Sequence, residues 1–387
     1  MTATLLIVSF SNISQDARVL KQVRLFRDRY RVITCGEGPA PEGVSEHIQL
    51  SAISASNGNG RLQALVFAYA FSLLQLLRLF AVAYRLAPQI REAERRLKEL
   101  SFDAVLCNDI QPLPLLSRLI PLARVHADIH EYFPGVNDQE PRWRLLWQPY
   151  YRWMIRRFLP RVASMTTVTR TIAERYEQEF RLRGCEVVEN AAPFQELRAT
   201  EVGETIRIVH SGSALASRRI EDMMHAAAGT TCNVTLDLYL VVGEPEYHER
   251  LVRLAEALGD RITLHPPLAQ QELVRALNDY DVGISVIPAT STNSALALPN
   301  KFFDYIQARL GIVINPSAEM ERILAQEQLG LVTEDESAEA IRRSLDSLDR
   351  DSVVSWKANA ERCARSYSAE VVSTAWAGAV DALLGTR

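Results

Sequence analysis

The sequence has few cysteines, and no two of them stand close together. Zinc sites and redox dithiols usually need cysteines about two to four residues apart, so this spacing argues against both. We expect reduced, mostly buried thiols, as is typical of a cytoplasmic protein. The five cysteines are Cys35, Cys107, Cys185, Cys232 and Cys363.

The sequence also lacks an excess of charge of either sign. Its 43 Lys and Arg against 47 Asp and Glu give a formal net charge of -4, which provides no general attraction for nucleic acid. Hydrophobic residues make up 48% and charged residues 23%, which excludes a largely disordered chain. A chain of 387 residues exceeds what one hydrophobic core usually serves, so we expect two domains.

No cleavable signal sequence is recognisable. The apolar run Leu5–Phe10 is short and lacks a basic start, so we interpret it as a first strand. A second apolar run, Ala64–Tyr84, is long enough to raise the question of a membrane span. Its polar residues Ser72, Gln75 and Arg78 form one stripe, and a central arginine costs about 2.5–3.5 kcal/mol on insertion. We therefore expect a helix buried by its own domain, with a helix at a bilayer surface as the alternative.

Strand-like runs alternate with helical patterns along most of the chain, which predicts parallel sheets covered by helices. Polar residues follow three of the early strands, and the carboxyl ends of parallel strands are where open sheets bind ligands. Among them, His130 is flanked by two carboxylates and is the strongest candidate for chemistry. For Asn12 and Asp16 taken alone, we favour helix capping over a place in a ligand site. The candidates at these strand ends are Ser11, Asn12, Asp16, Arg18, Asn108, Asp109, Asp128, His130 and Glu131.

The run from Arg142 to Arg161 carries six arginines and no acidic residue, among tryptophans and tyrosines. Anionic headgroups attract such a run by about 1 kcal/mol per basic residue, and tryptophan suits a membrane interface. The alternatives are a solvated helix with an aromatic side facing the core, or a site for an anionic acceptor. We favour contact with a membrane or with an anionic acceptor.

Residues 195–204 are polar and poorly periodic, and a second alternating series follows them, so the domain boundary is expected near residues 190–205. In this second half Arg218 and Arg219 precede a helix, and two guanidinium groups there could hold a diphosphate. Asp279 and Asp281 stand between a helix and a buried strand, which favours a structural junction over a metal site.

The segment Ala297–Pro316 is the most informative part of the second half. Pro299 predicts a turn followed by a helix, and Gly311 is expected to end that helix before a buried strand. Lys301 and Asp304 then lie in its first turn and a half, beside the positive end of the helix dipole. This arrangement favours a nucleotide site, with an ordinary capped helix as the alternative. Apolar residues recur at helical spacing: Phe302, Phe303, Ile306 and Leu310.

Several segments, in this order, resemble the family 4 retaining glycosyltransferases of the GT-B type over nearly the whole chain. They are NDIQPLPLL, DIHEYFP, TTVTRTIAERY, VVENAAP, YDVGISVIP and LPNKFFDYIQARLGIVI. The resemblance implies an α/β fold with two Rossmann-like domains facing across a cleft, residues 1–192 and 203–367, and a last helix, 368–387, that returns to the first domain. It also implies a nucleoside-diphosphate sugar held mostly by the second domain, with neither a metal nor a further cofactor.

The resemblance also assigns roles by position. It places Asp304 on the nucleotide ribose, the segment Leu298, Pro299 and Asn300 at the sugar and diphosphate, and Arg219, less clearly Arg218, on the diphosphate beside Lys301. It places His130 near the transferred sugar, where we expect Asp128 and Glu131 to share the catalytic site. Acceptor-side candidates are Asn12, Arg18, Asn108 and Asp109.

Two positions depart from the family pattern. Leu296 stands where a carboxylate is common, and Ser213 replaces a basic residue. Either a branch of the family uses the donor differently, which we favour because Lys301 supplies charge, or activity is weakened. We expect a retaining hexosyltransferase acting on a glycan or lipid-linked acceptor in bacterial surface polysaccharide or glycolipid synthesis, in the cytoplasm with peripheral membrane contact. The alternatives are a non-catalytic subunit that binds nucleotide or a partner protein, and a nucleotide-sugar epimerase.

Overall fold

The computed structural model describes residues 2–51 and 60–385. They form two compact units. Unit 1 comprises the chain up to Val188, Ser291–Ala297 and the chain from Ser373 onwards, whereas unit 2 comprises Glu189–Thr290 and Leu298–Val372. Residues 189–202 therefore belong to unit 2, and the short segment 291–297 belongs to unit 1.

The helices and strands up to residue 187 alternate as follows: β1 (Thr4–Asn12), α1 (Ala17–Phe26), β2 (Arg31–Glu37), β3 (Glu46–Leu50), α2 (Gly60–Leu76), α3 (Phe80–Leu86), α4 (Pro88–Leu97), β4 (Ala104–Asn108), α5 (Leu113–Leu116), β5 (Val125–Ile129), α6 (Gln148–Phe158), β6 (Ser164–Thr167), α7 (Arg170–Phe180) and β7 (Cys185–Val187).

The second series comprises β8 (Ile206–Ala214), α8 (Ile220–Gly229), β9 (Val234–Val242), α9 (Pro245–Leu258), β10 (Ile262–His265), α10 (Gln270–Leu277), β11 (Val282–Ser285), α11 (Thr292–Leu296), α12 (Asn300–Gln307), β12 (Gly311–Ile314), α13 (Ala318–Glu327), β13 (Gly330–Val332), α14 (Ala338–Asp346), α15 (Arg350–Cys363), α16 (Ala369–Val372) and α17 (Thr374–Leu384).

Each unit contains one parallel sheet. The strand order is β3-β2-β1-β4-β5-β6-β7 in unit 1 and β10-β9-β8-β11-β12-β13 in unit 2. The strand order reverses beside β1 in one sheet and beside β8 in the other, and such switch points leave a crevice at the carboxyl ends of the strands. The predicted α/β class is confirmed, while the short strand β3 was not anticipated.

The central strands are buried on both faces, so they are recognisable as apolar runs in the sequence. The helix in the segment 297–316 is confirmed as Asn300–Gln307. The prediction that Gly311 ends this helix was wrong. The left-handed residue is Arg309, with φ 62°, and its guanidinium donates hydrogen bonds to the carbonyl oxygens of Gln307 and Gln195, both at 2.6 Å.

The apolar run Ala64–Tyr84 differs from our expectation in two ways. It is broken into α2 and α3, because Arg78 adopts a left-handed φ of 60° between them. The expected burial is also wrong for most of its large apolar side chains. Across the part of the chain that the structure describes, no helix is long and apolar enough to cross a membrane.

The arginine-rich run forms a π-helical turn, Trp143–Trp147, followed by α6. Its tryptophans, Trp143, Trp147 and Trp153, are half-buried and pack against the hydrophobic core of unit 1. The tryptophans therefore agree with the alternative interpretation of this run, in which its aromatic side faces the core. Five of the arginines remain exposed: Arg142, Arg144, Arg156, Arg157 and Arg161.

Two further expectations concern buried polar and thiol groups. Asp281 lies at the start of β11 and pairs with the buried Lys357, with Nζ 3.1 Å from Oδ1, while also accepting from the Arg207 amide. This is the structural junction that the sequence indicated. All five cysteines are free thiols, and Cys35, Cys107 and Cys363 are buried.

Candidate functional sites

A buried ion pair lies at the carboxyl end of the sheet in unit 1. Arg18, on α1, donates from Nε to Asp128 Oδ2 at 2.8 Å and from Nη2 to Oδ1 at 2.7 Å. Asp128 is 0% exposed at the end of β5, and it also accepts bonds from Gln22 and Thr166. Burial opposes ionisation, but Arg18 and His130 hold the pKa of Asp128 well below its usual range. Asp128 is therefore a fixed anion that orients its neighbours.

His130 is the partly exposed member of this cluster. Its Nε2 lies 3.1 Å from Asn108 Oδ1 and 3.3 Å from Asp128 Oδ2, so two acceptors favour a proton on this nitrogen. Its Nδ1 lies 3.6 Å from Asp109 Oδ1. Burial lowers the pKa of His130, but Asp109 and Asp128 raise it by more, and the pKa is raised overall.

Asp109 connects the His130 cluster to a cavity. It follows β4 in a left-handed conformation, with φ 66°, and its amide donates to the Asp128 carbonyl oxygen at 2.8 Å. Its carboxylate accepts from the His130 amide at 3.1 Å. Burial raises the pKa of Asp109. Together with Ser11, Asp109 lines a cavity of about 380 Å³ whose other lining residues are mainly aromatic.

The remaining unit 1 candidates have other partners. Glu131 accepts a hydrogen bond from Asn293 Nδ2, and burial raises the pKa of Glu131. Asn293, on α11, in turn accepts from the Tyr132 amide at 2.7 Å, which attaches this short helix to unit 1. Asn12 accepts from Ser14 Oγ at 2.8 Å. Asp16 is the N-cap of α1, so the capping interpretation of this residue is confirmed.

In unit 2, two cations converge over a glycine. A Cβ at Gly212, near the end of β8, would lie 2.9 Å from Arg218 Nη1 and 3.0 Å from Lys301 Nζ. Lys301, on the first turn of α12, is 9% exposed, and its buried Nζ has no hydrogen-bond partner among the described residues. Burial and Arg218 lower the pKa of Lys301 to about 7, although Asp304 opposes this. Burial also lowers the pKa of Arg218.

His210 completes this group from β8. Its Nδ1 lies 2.7 Å from the Ile284 carbonyl oxygen and so carries the proton, whereas the buried Nε2 has no partner within the described ranges. Nε2 is 3.6 Å from the same Cβ position at Gly212. Burial and the two cations lower the pKa of His210 well below its usual range, so the ring is neutral.

The other unit 2 candidates lie around the start of α12 or beside α8. Pro299 is the N-cap of α12, Leu298 is buried before it and Asn300 is exposed, while Asp304 is buried one turn later beside Lys301. Arg219 adopts a left-handed φ of 47° and pairs with Asp222 at 2.7 Å, half-exposed. Arg218, rather than Arg219, therefore joins Lys301 over Gly212.

A cavity of about 930 Å³ lies elsewhere, at the opposite edge of the unit 1 sheet. Asp103, Arg124 and Ser164 line it at the amino ends of the strands, together with α17. It contains none of the candidate residues. The described residues include no group of three or more His, Cys, Asp or Glu arranged to hold a metal ion.

Some residues of these sites were not anticipated from the sequence. Gln22 stands four residues after Arg18, so helical spacing alone could have placed both on one face of α1. Thr166, Asn293, His210 and Gly212 carried no comparable signal, because their roles depend on contacts between distant segments.

Comparison with known proteins yields structural matches only. No family model and no curated protein matches the sequence. Sucrose-phosphate synthase from Thermosynechococcus elongatus aligns with a TM-score of 0.70 at 12% identity, covering 100% of both chains. Anabaena HepE in complex with UDP and glucose aligns with a TM-score of 0.69 at 12% identity, covering 98% of this chain and 100% of HepE. Trehalose-6-phosphate synthase from E. coli, bound with UDP-2-fluoro glucose, gives 0.65 at 12% identity, with 98% and 99% covered.

These structural neighbours are GT-B glycosyltransferases. At such low sequence identity the likeness concerns the fold, and it agrees with the two parallel sheets described above. The fold class predicted from the sequence is therefore confirmed. This chain has an α/β fold of the GT-B type, built from two Rossmann-like units.

Proposed function

We propose that this protein is a glycosyltransferase that moves a sugar from a nucleoside-diphosphate sugar to a glycan or lipid-linked acceptor. The observation that carries the proposal is the convergence of Lys301 and Arg218 over Gly212. The buried ammonium of Lys301 and the half-buried guanidinium of Arg218 repel each other, and the ammonium has no hydrogen-bond partner among the described residues. A diphosphate would supply the missing negative charge.

The diphosphate would bind at the start of α12, where the helix dipole adds to the positive potential. In this proposal Asp304 would accept hydrogen bonds from the ribose hydroxyl groups. During transfer the diphosphate becomes the leaving group, and fixed cations stabilise the charge that develops on it. In this proposal Lys301 and Arg218 do what a divalent metal does elsewhere. Several structural neighbours are complexes with UDP or a UDP-sugar, which supports a nucleotide-sugar donor.

On unit 1, His130 is the proposed contact of the transferred sugar. Asp128 and Asn108 fix its ring through Nε2, so that Nδ1 and the nearby Asp109 are the groups available to a substrate. Asp109 would receive the acceptor hydroxyl. Glu131 would act through Asn293 by positioning the segment 291–297. We further propose that the enzyme belongs to the retaining family 4 branch and transfers a hexose.

Peripheral contact with an anionic membrane is part of the proposal. The five exposed arginines between Arg142 and Arg161 are the basis for it, since the tryptophans of this run pack inward. Flotation with vesicles of phosphatidylglycerol, compared with neutral phosphatidylcholine vesicles, tests this. Equal absence of binding to both would remove membrane contact from the account.

The donor role is tested by titrating UDP into the wild type and Asp304→Ala. Loss of a charged hydrogen bond should weaken binding by about 1.5–3 kcal/mol. Unchanged affinity in a folded variant would remove the ribose assignment. Sugar release from a donor, with crude membranes supplying acceptor, tests turnover. Tight nucleotide binding without any sugar release would instead favour a non-catalytic subunit, and a changed sugar on the nucleotide without acceptor would favour an epimerase.

A further inference from the structure

The helix α2 buries the polar side chain of Gln75, whereas several of its large apolar side chains are exposed. Gln75 is 0% exposed, and neither of its amide atoms has a hydrogen-bond partner among the described residues. Leu73 and Leu76, on either side of it, are about half exposed, and Tyr69 is 82% exposed. Surface helices normally direct apolar residues inward, because burying an unpaired amide costs free energy. This orientation is favourable only if something apolar covers the outer side.

The exposed apolar surface continues beyond α2 through the turn and along α3. Exposed apolar surface on this scale is typical of contact sites. We refer to these side chains as the apolar face. It consists of Leu65, Val66, Tyr69, Leu73, Leu76, Leu77, Leu79, Val82 and Leu86.

Arginines accompany the apolar face. Arg85, Arg157 and Arg161 line a cavity of about 240 Å³ beside α3 and have no acidic partner within the described ranges, whereas Arg118 in the same cavity pairs with Glu94. Arg78 lies between α2 and α3 and donates to the Leu145 carbonyl oxygen at 3.2 Å. An apolar surface with unpaired cations at its border complements an amphiphile that carries negative charge on its headgroup.

The aromatic cavity lies on the inner side of the same helix. Phe71, on α2, lines it together with Trp147, Tyr150 and Tyr151. Its volume of about 380 Å³ falls within the usual range of small-molecule sites, about 300–1,000 Å³. Asp109 also lines it, and this carboxylate contacts the backbone of His130. The cavity therefore connects an apolar environment with the proposed acceptor group.

We propose that the acceptor is a lipid with a phosphate-bearing headgroup, whose hydrocarbon chain occupies this aromatic cavity and continues onto the apolar face. This inference rests on the proposed function and specifies its acceptor class. The headgroup with its reactive hydroxyl lies at the Asp109 end of the cavity, and the arginines beside α3 attract the anionic surface of the bilayer from which the acceptor is drawn. A purely sugar acceptor would leave the apolar face uncovered.

Alkyl phosphates test the inference without requiring turnover. Octyl, decyl and dodecyl phosphate, kept below their micelle concentrations, are titrated while tryptophan fluorescence is recorded, because Trp147 lines the cavity. Each added methylene should tighten binding about three- to four-fold, which corresponds to about 0.8 kcal/mol per buried CH₂. Inorganic phosphate at the same concentrations should leave the fluorescence unchanged.

Matched variants test whether the hydrocarbon chain of the ligand occupies the aromatic cavity. Ala87→Phe fills the aromatic cavity and should weaken dodecyl phosphate binding at least ten-fold. Ala257→Phe, at an exposed position on α9 in unit 2, is the matched control and should leave dodecyl phosphate binding within two-fold. Replacing the exposed Leu73 and Leu76 together by Gln should also weaken dodecyl phosphate binding more than octyl phosphate binding. Unchanged dodecyl phosphate binding by the Ala87→Phe variant would contradict the aromatic cavity as the site.

A parallel titration with UDP separates this inference from the proposed function. If alkyl phosphates bind without dependence on chain length while UDP binds normally, the lipid acceptor is wrong and the transferase proposal is unaffected. If chain-length dependence is present but no nucleotide binds, the proposed function fails and the hydrocarbon site remains.

Discussion

The Lys301 side chain occupies space that is free only because residue 212 is a glycine. The Lys301 Nζ lies 3.0 Å from the position of a Cβ at residue 212, and Arg218 Nη1 lies 2.9 Å from it. Any other residue at 212 would displace the ends of both side chains. Gly212 also has a φ of 157°, which residues with a side chain rarely adopt, so a substitution strains the backbone as well.

Gly212→Ala should therefore weaken nucleoside-diphosphate binding about ten-fold, or about 1.4 kcal/mol, and should also lower the melting temperature because of the backbone strain. Calorimetric titration with UDP measures the first effect and thermal unfolding the second. Gly203→Ala is the matched control in unit 2, since its nearest neighbour would lie 3.8 Å away. If the Gly212→Ala variant binds UDP with the same affinity as the wild type, Lys301 and Arg218 do not hold the diphosphate of the donor.

Binding of a diphosphate should be coupled to proton uptake by Lys301. Its pKa of about 7 leaves the amine mostly neutral at pH 8, and a bound diphosphate would raise that pKa. Binding at pH 8 should therefore take up nearly one proton, and affinity should fall as pH rises above 7. Calorimetry in two buffers with different ionisation enthalpies gives the number of protons. Lys301→Met should abolish the uptake, and uptake that persists in this variant would assign it to another group.

Without a bound ligand, Lys301 should lower the stability of the folded protein. A lysine whose folded pKa is about 7, against 10.5 ordinarily, destabilises the fold when it is charged. The cost is fully present below pH 7 and disappears as pH rises towards 10.5. Lys301→Met should thus raise the free energy of unfolding at pH 6 by about 1–3 kcal/mol. Urea denaturation measures it, and a less stable variant would mean that the ammonium has a stabilising partner.

Asp128 should matter for stability through its buried pair with Arg18. Asp128→Asn leaves the guanidinium uncompensated and should lower the free energy of unfolding by about 3–5 kcal/mol. Because the folded pKa of Asp128 is depressed, its contribution is present above the unfolded pKa near ~3.9 and is lost as pH falls below it. Asp28→Asn, at an 86% exposed carboxylate, is the control. Equal urea midpoints for the two variants would refute this role.

Substitution of His130 should lower the rate of sugar transfer without changing the affinity for the nucleotide of the donor. His130→Gln should lower sugar transfer by about 10²-fold or more, as is usual when a positioned proton-transfer or hydrogen-bonding group is lost. UDP affinity should stay within two-fold, because the cations over Gly212 are unchanged. His225→Gln, at an exposed histidine on α8, is the matched control and should leave the transfer rate unchanged. If His130→Gln leaves the transfer rate unchanged, the histidine has only a structural role.

The sequence was most informative where local pattern and tertiary position agree. Alternating strands and helices predicted both sheets, and Pro299 with the apolar spacing after it predicted α12. The cluster around His130 followed from one rule, that polar residues after parallel strands meet at one edge.

The remainder depended on information that local patterns do not carry. The composition of the run 64–84 favoured its burial, since apolar residues usually lie inside a protein. Nothing in the sequence indicated that the side chain of Gln75 points inward while its apolar neighbours are exposed. Arg218 and Arg219 are adjacent, so only the backbone geometry decides that Arg218 joins Lys301 while Arg219 pairs with Asp222. The function of Gly212 follows from two side chains that approach it.

The most direct test of the central claim is a calorimetric titration of the wild type, Asp304→Ala and Lys301→Met with UDP, GDP, dTDP and their common sugars. The account predicts selective binding of one nucleotide class, weakened in both variants. Absence of binding to every nucleotide, or equal binding by all three proteins, would contradict the assignment of unit 2 as the donor site.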